Sequence, residues 1–199
     1  CFNIVCFVCD QGLQGPQSSI NNLNDFFSLT TIDTYCINNV IDTTLEFLPN
    51  FNKPGVKIYG LTQRCLNQSP LPLTAITYGG SYSFVQYSSG LEGTILCFNF
   101  GLTHLIEQVD FLKLKNRFDI FVFNYSCDIE LDIIIESIKK TRSIIVIDDT
   151  KSVCRFSDSV VTDVLQSITD DFNFRRVIRS KLVYSVNDEM FVISPELFD

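Results

Sequence analysis

Ser137-Ile138-Lys139-Lys140-Thr141-Arg142-Ser143-Ile144-Ile145-Val146-Ile147-Asp148-Asp149 is the stretch that decides the fold. A helix ends in paired lysines, which suit the negative end of its dipole. A strand then follows that is apolar on both sides, as a central parallel strand must be, and it stops at two carboxylates. Upstream, Asp128 is placed to cap the helix, whose one face carries Leu131, Ile134, Ile135 and Ile138.

The same unit repeats on either side. Thr94–Phe100 reads as an apolar strand, followed by Leu102, Leu105, Ile106, Val109 and Leu112 on one helical face. Asp119–Phe123 is the next strand. Ser157 is placed to cap a helix with Val160, Val161, Val164, Leu165 and Ile168 on one face, and Arg175–Ile178 is a further short strand. Strand–helix units in a row predict a parallel, right-handed, three-layer α/β domain.

The N-terminal part follows the same grammar less regularly. Asn3–Cys9 reads as a buried strand, Gln11–Pro16 as a turn, and Ser18 or Ser19 as the cap of a helix to about Leu29. Tyr35–Asn38 and Val56–Leu61 read as strands, with a short helix Asp42–Leu48 between them, ended by Pro49. Residues 67–92 hold Pro70, Pro72, Gly79, Gly80, Ser88, Ser89 and Gly90, and read as a linker with a hairpin around Gly79-Gly80. The division expected is therefore 1–66, 67–92 and 93–199.

Composition narrows the function. The 199 residues are 46% hydrophobic and 19% charged, a globular balance. Net charge is −8 with no basic run, which argues against a nucleic-acid partner. No apolar run reaches membrane-spanning length, and no charged segment precedes the first strand, so neither a membrane span nor a signal peptide is expected. Cys6 and Cys9 have CxxC spacing, but three positions along a strand point to opposite faces. Cys36, Cys97 and Cys127 also lie in or beside apolar runs. The eight cysteines are read as buried free thiols, with no zinc site and no Cys6–Cys9 disulfide. That fits a reducing cytoplasm or organelle matrix.

Gly15-Pro16-Gln17-Ser18-Ser19 after the first strand, and the acid, apolar helix, Lys-Lys-Thr and acid-terminated strand of Asp128–Asp149, together resemble the transketolase family of thiamine-diphosphate enzymes. The likeness is nearest to the beta chains of the 2-oxo acid dehydrogenases. It implies that 1–66 is the second half of a pyrimidine-binding domain and 93–199 the family's C-terminal domain. It also implies a parent reaction of 2-oxo acid decarboxylation or ketol transfer, an oxidoreductase or transferase. Thiamine diphosphate and magnesium would serve the parent assembly, with none necessarily held by this chain. The partner would be a second copy in a homodimer or an alpha-type chain.

By that resemblance Asp10, Gln11, Gln17 and Ser18 are rim contacts to the cofactor, with no catalytic and no metal-binding residue in the chain. Ser18 stands where the family has a histidine, and serine cannot replace it as a base near neutral pH. The loop 150–157 lacks the family's glycines. These departures leave two alternatives: a diverged inactive relative acting as scaffold or regulator, or an unrelated α/β domain binding a small anion at Asp10–Ser19 or near Asp148. Residue by residue, plainer readings stand beside these. His104, the one histidine, reads as a packed or exposed helix residue. Asp148 and Asp149 read equally as ligand groups or as solvated strand caps. Arg175, Arg176 and Arg179 read as a solvated or interface patch.

Overall fold

A computed structural model describes residues 2–8, 32–39, 42–62, 73–80, 83–124, 129–150, 152, 155–178 and 191–199. The described residues form two sheets. The first has order β1-β3-β2, all parallel, from β1 (Phe2–Val8), β2 (Ile32–Ile37) and β3 (Val56–Thr62). Helix α1 joins β2 to β3. It is π-helical over Thr43–Phe47 and α-helical over Leu48–Phe51. Pro49 therefore does not end it. The wide turn before Pro49 bonds the Leu48 N–H to the Thr43 carbonyl, and the proline sits in the first turn that follows, where its missing N–H costs least.

The second sheet has order β4-β5-β7-β6-β8-β9. Its parallel part is β6 (Gly93–Phe98), β7 (Phe118–Phe123), β8 (Ser143–Asp148) and β9 (Asn173–Ile178). Helices α2 (Gly101–Gln108) and α3 (Phe111–Leu114) follow β6, α4 (Asp132–Thr141) follows β7, and α5 (Phe156–Ser167) follows β8. The three-layer, mainly parallel α/β fold is the one its strand–helix pattern predicts.

Each face of this sheet has its own core, because β-strand side chains alternate. Ile95, Cys97, Ile120, Val122, Ile145 and Ile147 pack under α2, α3 and the segment 191–198. Leu96, Phe98, Phe121, Phe123, Ile144 and Val146 pack under α4 and α5. Gly101 lets the start of α2 lie on β8, since a Cβ there would come within 2.8 Å of the Ile147 carbonyl.

Several local expectations change. Residues 67–92 are not only a linker. The hairpin around Gly79-Gly80 is present as β4 (Thr77–Tyr78) and β5 (Phe84–Ser88), and β5 continues the second sheet antiparallel to β7. Phe84 joins one core and Val85 and Tyr87 the other, so β5 is buried on both faces. The helix after β6 breaks at Val109, which is extended, and this shifts the apolar face by a residue. Phe111 and Leu114 are buried while Leu112 is 67% exposed. Helix α4 starts at Asp132, and no side chain caps it; Asp128 lies outside the described residues. Ile134 and Ile138 are fully buried and Ile135 is half-buried. Cys36 and Cys97 are buried free thiols, and burial pushes the Cys97 thiol pKa up. The Cys6 side chain, Cys9 and Cys127 lie outside the described residues.

Candidate functional site at the junction of the sheets

Open α/β sheets place ligands beyond the carboxyl ends of their strands. Here a polar residue stands at that end of each of four strands: Asn38 after β2, Asn99 after β6, Asn124 after β7, and Asp148 closing β8. The carboxyl end of β2 is brought against them, with the Cys36 N–H bonded to the Asn124 carbonyl at 2.8 Å. Asn38 Nδ2 donates to the Asn99 carbonyl at 2.9 Å and to Asn124 Oδ1 at 3.2 Å. Asn99 Nδ2 donates in turn to Asp148 Oδ1 at 2.7 Å. Asn99 takes the left-handed conformation, φ 52°, which asparagine tolerates better than most residues.

The two carboxylates of the deciding stretch are wholly buried, which settles against their being solvated caps. Asp148 also accepts from the Thr150 N–H at 3.1 Å and from the Ser157 hydroxyl, which itself receives Arg176 Nη2 at 3.0 Å. Ser157 thus ties α5 to the end of β8; it does not cap the helix. Burial pushes the Asp148 pKa up, with the charge of Asp149 adding to it and the bonds from Ser157, Thr150 and Asn99 opposing. Asp149 accepts from the Phe100 N–H and from His104 Nε2, both at 3.1 Å.

His104 is 2% exposed, and the bonds around it fix its tautomer. Gln108 Oε1 must accept from the Ile193 N–H, and Gln108 Nε2 donates to the Phe191 carbonyl, both at 2.7 Å. The same Nε2 faces His104 Nδ1 at 3.3 Å, so Nδ1 is the acceptor. The ring proton then sits on Nε2 and points at Asp149. Both ring nitrogens are engaged, and Phe191 packs against the ring at 4.7 Å. Asp148, Asp149 and His104 together clasp the β6–α2 turn and the segment 191–193. The arrangement positions backbone and leaves neither histidine nitrogen for proton transfer to a substrate.

A third carboxyl joins the junction from α1. Asp42 Oδ1 accepts from the Tyr87 hydroxyl at 2.6 Å, and Oδ2 accepts from the N–H groups of Asn38 at 2.8 Å and Asn39 at 3.1 Å. Burial raises its pKa to about 6 in spite of these bonds.

The residues expected at a cofactor rim, Asp10, Gln11, Gln17 and Ser18, lie outside the described residues, as do Ser19 and Arg179. Arg175 and Arg176 are inward-tied and not a solvated patch. Arg175 donates to the Leu197 carbonyl, and Arg176 bonds Asp158 and Ser157. Among the described residues no group of three His, Cys, Asp or Glu side chains is placed to hold a metal ion, and no helix is long and apolar enough to cross a membrane. The described carboxylates at the junction do not fit a diphosphate or its metal, because their oxygens are taken by donors of the chain itself. A cavity of about 390 Å³ opens at the opposite edge, by the amino ends of β7, β8 and β9, among Arg142, Arg175, Asn173 and Glu92.

Sequence reasoning missed Asn38, Asp42, Tyr87, Asn99 and Asn124. A signal was present: Ile37-Asn38, Phe98-Asn99, Phe123-Asn124 and Ile147-Asp148 each end an apolar run with a short polar side chain, asparagine or aspartate.

No protein-family model matches the chain, and no curated protein matches it. Solved structures do. A split-gene transketolase, described as an inactive beta4 tetramer, aligns over 95% of this chain and 58% of its own, with a TM-score of 0.66 and 12% identity. The transketolase of Campylobacter jejuni subsp. jejuni NCTC 11168 aligns over 92% of this chain and 30% of its own, with a TM-score of 0.57 and 11% identity. The chain thus spans just over half the length of the first and under a third of the second. The likeness establishes the fold: that of a section of transketolase.

Proposed function

We propose that this chain is the C-terminal section of a thiamine-diphosphate enzyme of the transketolase type. Residues 1–66 are the second half of a pyrimidine-binding domain, 67–92 the connection and 93–199 the C-terminal domain. The section supplies subunit contacts and, through Asp10, Gln11, Gln17 and Ser18, the rim of an active site formed between chains. It is not catalytic alone. The observation that carries this reading is the two-sheet architecture, which follows a split-gene transketolase over 95% of the chain.

The cofactor and magnesium belong to the parent assembly, where the cofactor would supply a stabilised carbanion. The parent reaction is ketol transfer or 2-oxo acid decarboxylation. The Lys-Lys-Thr segment ending in Asp148-Asp149 favours the beta-chain type of 2-oxo acid dehydrogenase within that class. The partner is a second copy of the chain or an alpha-type chain, and the setting the cytoplasm or an organelle matrix.

A diverged, inactive scaffold is the second reading. Ser18 in place of the family's histidine and the full engagement of His104 favour it.

Titration of thiamine diphosphate with magnesium into the isolated chain tests the first reading. No tight binding is expected. A micromolar dissociation constant would overturn it, because the chain would then hold a complete cofactor site. Repeating the titration with the first half of a transketolase-type pyrimidine-binding domain supplied in trans separates the two readings. Binding with turnover supports the enzyme section, and binding without turnover supports the scaffold.

A further inference from the structure

We infer that the contact between Asp42 and Tyr87 is a proton-operated latch between the two sheets, tightest when the Asp42 carboxyl is protonated and loosened as it ionises. Asp42 lies at the start of α1, beside the first sheet; Tyr87 lies on β5 of the second. Their 2.6 Å bond spans the junction. The carboxyl is wholly buried, and among the described residues no cation faces it. From β5 it meets the Tyr87 phenol, which also receives Asn39 Nδ2 at 3.0 Å, from the turn after β2 two backbone N–H groups, and from the end of β7 the Asn124 amide. The next carboxyl along the described network is Asp148, reached through Asn38 and Asn99. A buried carboxylate is costly even when hydrogen-bonded.

The network has a place for a proton taken from solvent. Asn39 Oδ1 lies 3.4 Å from the Tyr87 hydroxyl. When Asp42 Oδ1 gains a proton it donates to Tyr87 Oη, and the phenol turns its own hydrogen to Asn39 Oδ1. No junction contact is lost in the exchange. Opening the junction instead exposes Asp42 to water, where it regains ordinary acidity. The closed form therefore binds the proton more tightly than the open one. Its pKa is raised to about 6 from 3.8, so the stabilisation of closure is complete below pH 4 and is lost as pH rises through 6.

Hydrogen exchange at the Cys36 amide reads this directly, because that N–H bonds Asn124 across the sheets. After correction for the intrinsic pH dependence of exchange, opening should increase up to roughly 100-fold between pH 4 and pH 7.5. In Asp42→Asn the corrected opening should be independent of pH over that range. The same slope in that variant would overturn the latch. If Asp42→Asn does not fold, the carboxyl-carbon NMR titration of Asp42 in the unaltered chain decides. A midpoint near 6 that rises further in Tyr87→Phe supports the latch, and a midpoint near the ordinary value of 3.8 removes it.

Discussion

Strands β6 and β8 of the second sheet bury every residue from Thr94 to Phe98 and from Ile144 to Asp148, whereas β3, the centre of the first sheet, carries a lysine. Lys57 is 1% exposed, and its ammonium is held by the carbonyls of Lys53 and Pro54. The first sheet compensates with aromatic packing. Tyr35 stacks on Tyr59 at 5.0 Å, and Phe47 of α1 meets Tyr59 edge-on at 4.8 Å. The second sheet is closed on both faces by continuous aliphatic and aromatic cores. Among the described residues the first shows two small clusters, and one of them reaches across to Phe100, just beyond β6. Phe100 thus packs with described residues of both sheets.

The largest test of this difference is in the second sheet. Ile134→Ala should cost about 2–5 kcal/mol in chemical denaturation, the range for a fully buried large-to-small change. Ile135→Ala, at a half-buried position, should cost only about 1–2 kcal/mol. Equal losses would mean that α4 sits differently on the sheet.

A smaller effect, and a sharper one, is expected at the junction. Asn38→Ala removes the donor that joins Asn99 and Asn124, and should cost about 1–3 kcal/mol. The loss should fall on the first sheet, seen as early loss of amide protection in β2 and β3 while β6 and β8 keep theirs. Uniform loss through both sheets would show that they unfold as one unit.

The smallest effect is in acid. Asp119, on β7, bonds Ser137, the Gly90 N–H and Lys140. Burial pushes its pKa up, but these partners outweigh burial and hold it below the usual carboxylate range. Its contribution is present above its unfolded value near 3.8 and is lost as pH falls through the lower folded value. Below pH 4 the unaltered chain should lose stability faster than Asp119→Asn. Asp42 has the opposite sign and acts between pH 4 and 6. Measuring both limbs of the pH profile distinguishes the body of the second sheet from the junction.

The alternation of strands and one-sided helices made the parallel part of the second sheet legible, because 2.0 and 3.6 periodicities are written directly in residues such as Ile144–Ile147 and Ile134–Ile138. Local breaks were less legible. Leu112 continues the helical spacing of α2, yet the chain turns at Val109 and presents Phe111 and Leu114 instead. Phe84, Val85 and Tyr87 sit in a turn-rich stretch whose composition hides a strand buried on both faces.

By itself, then, the sequence determined the fold class, the order of the strand–helix units and the two cores of the second sheet, since periodic burial is a local property of the chain. Only the tertiary structure decided the fate of its polar groups. His104, Asp148 and Asp149 could have served a ligand from their positions in sequence. In the folded chain their hydrogen bonds go to Asn99, Phe100, Gln108 and Ser157, and residues 38 and 124, far apart in sequence, meet at the same edge. A polar side chain takes its role from the partner that reaches it, and partners more than 40 residues away are set by how the sheets pack.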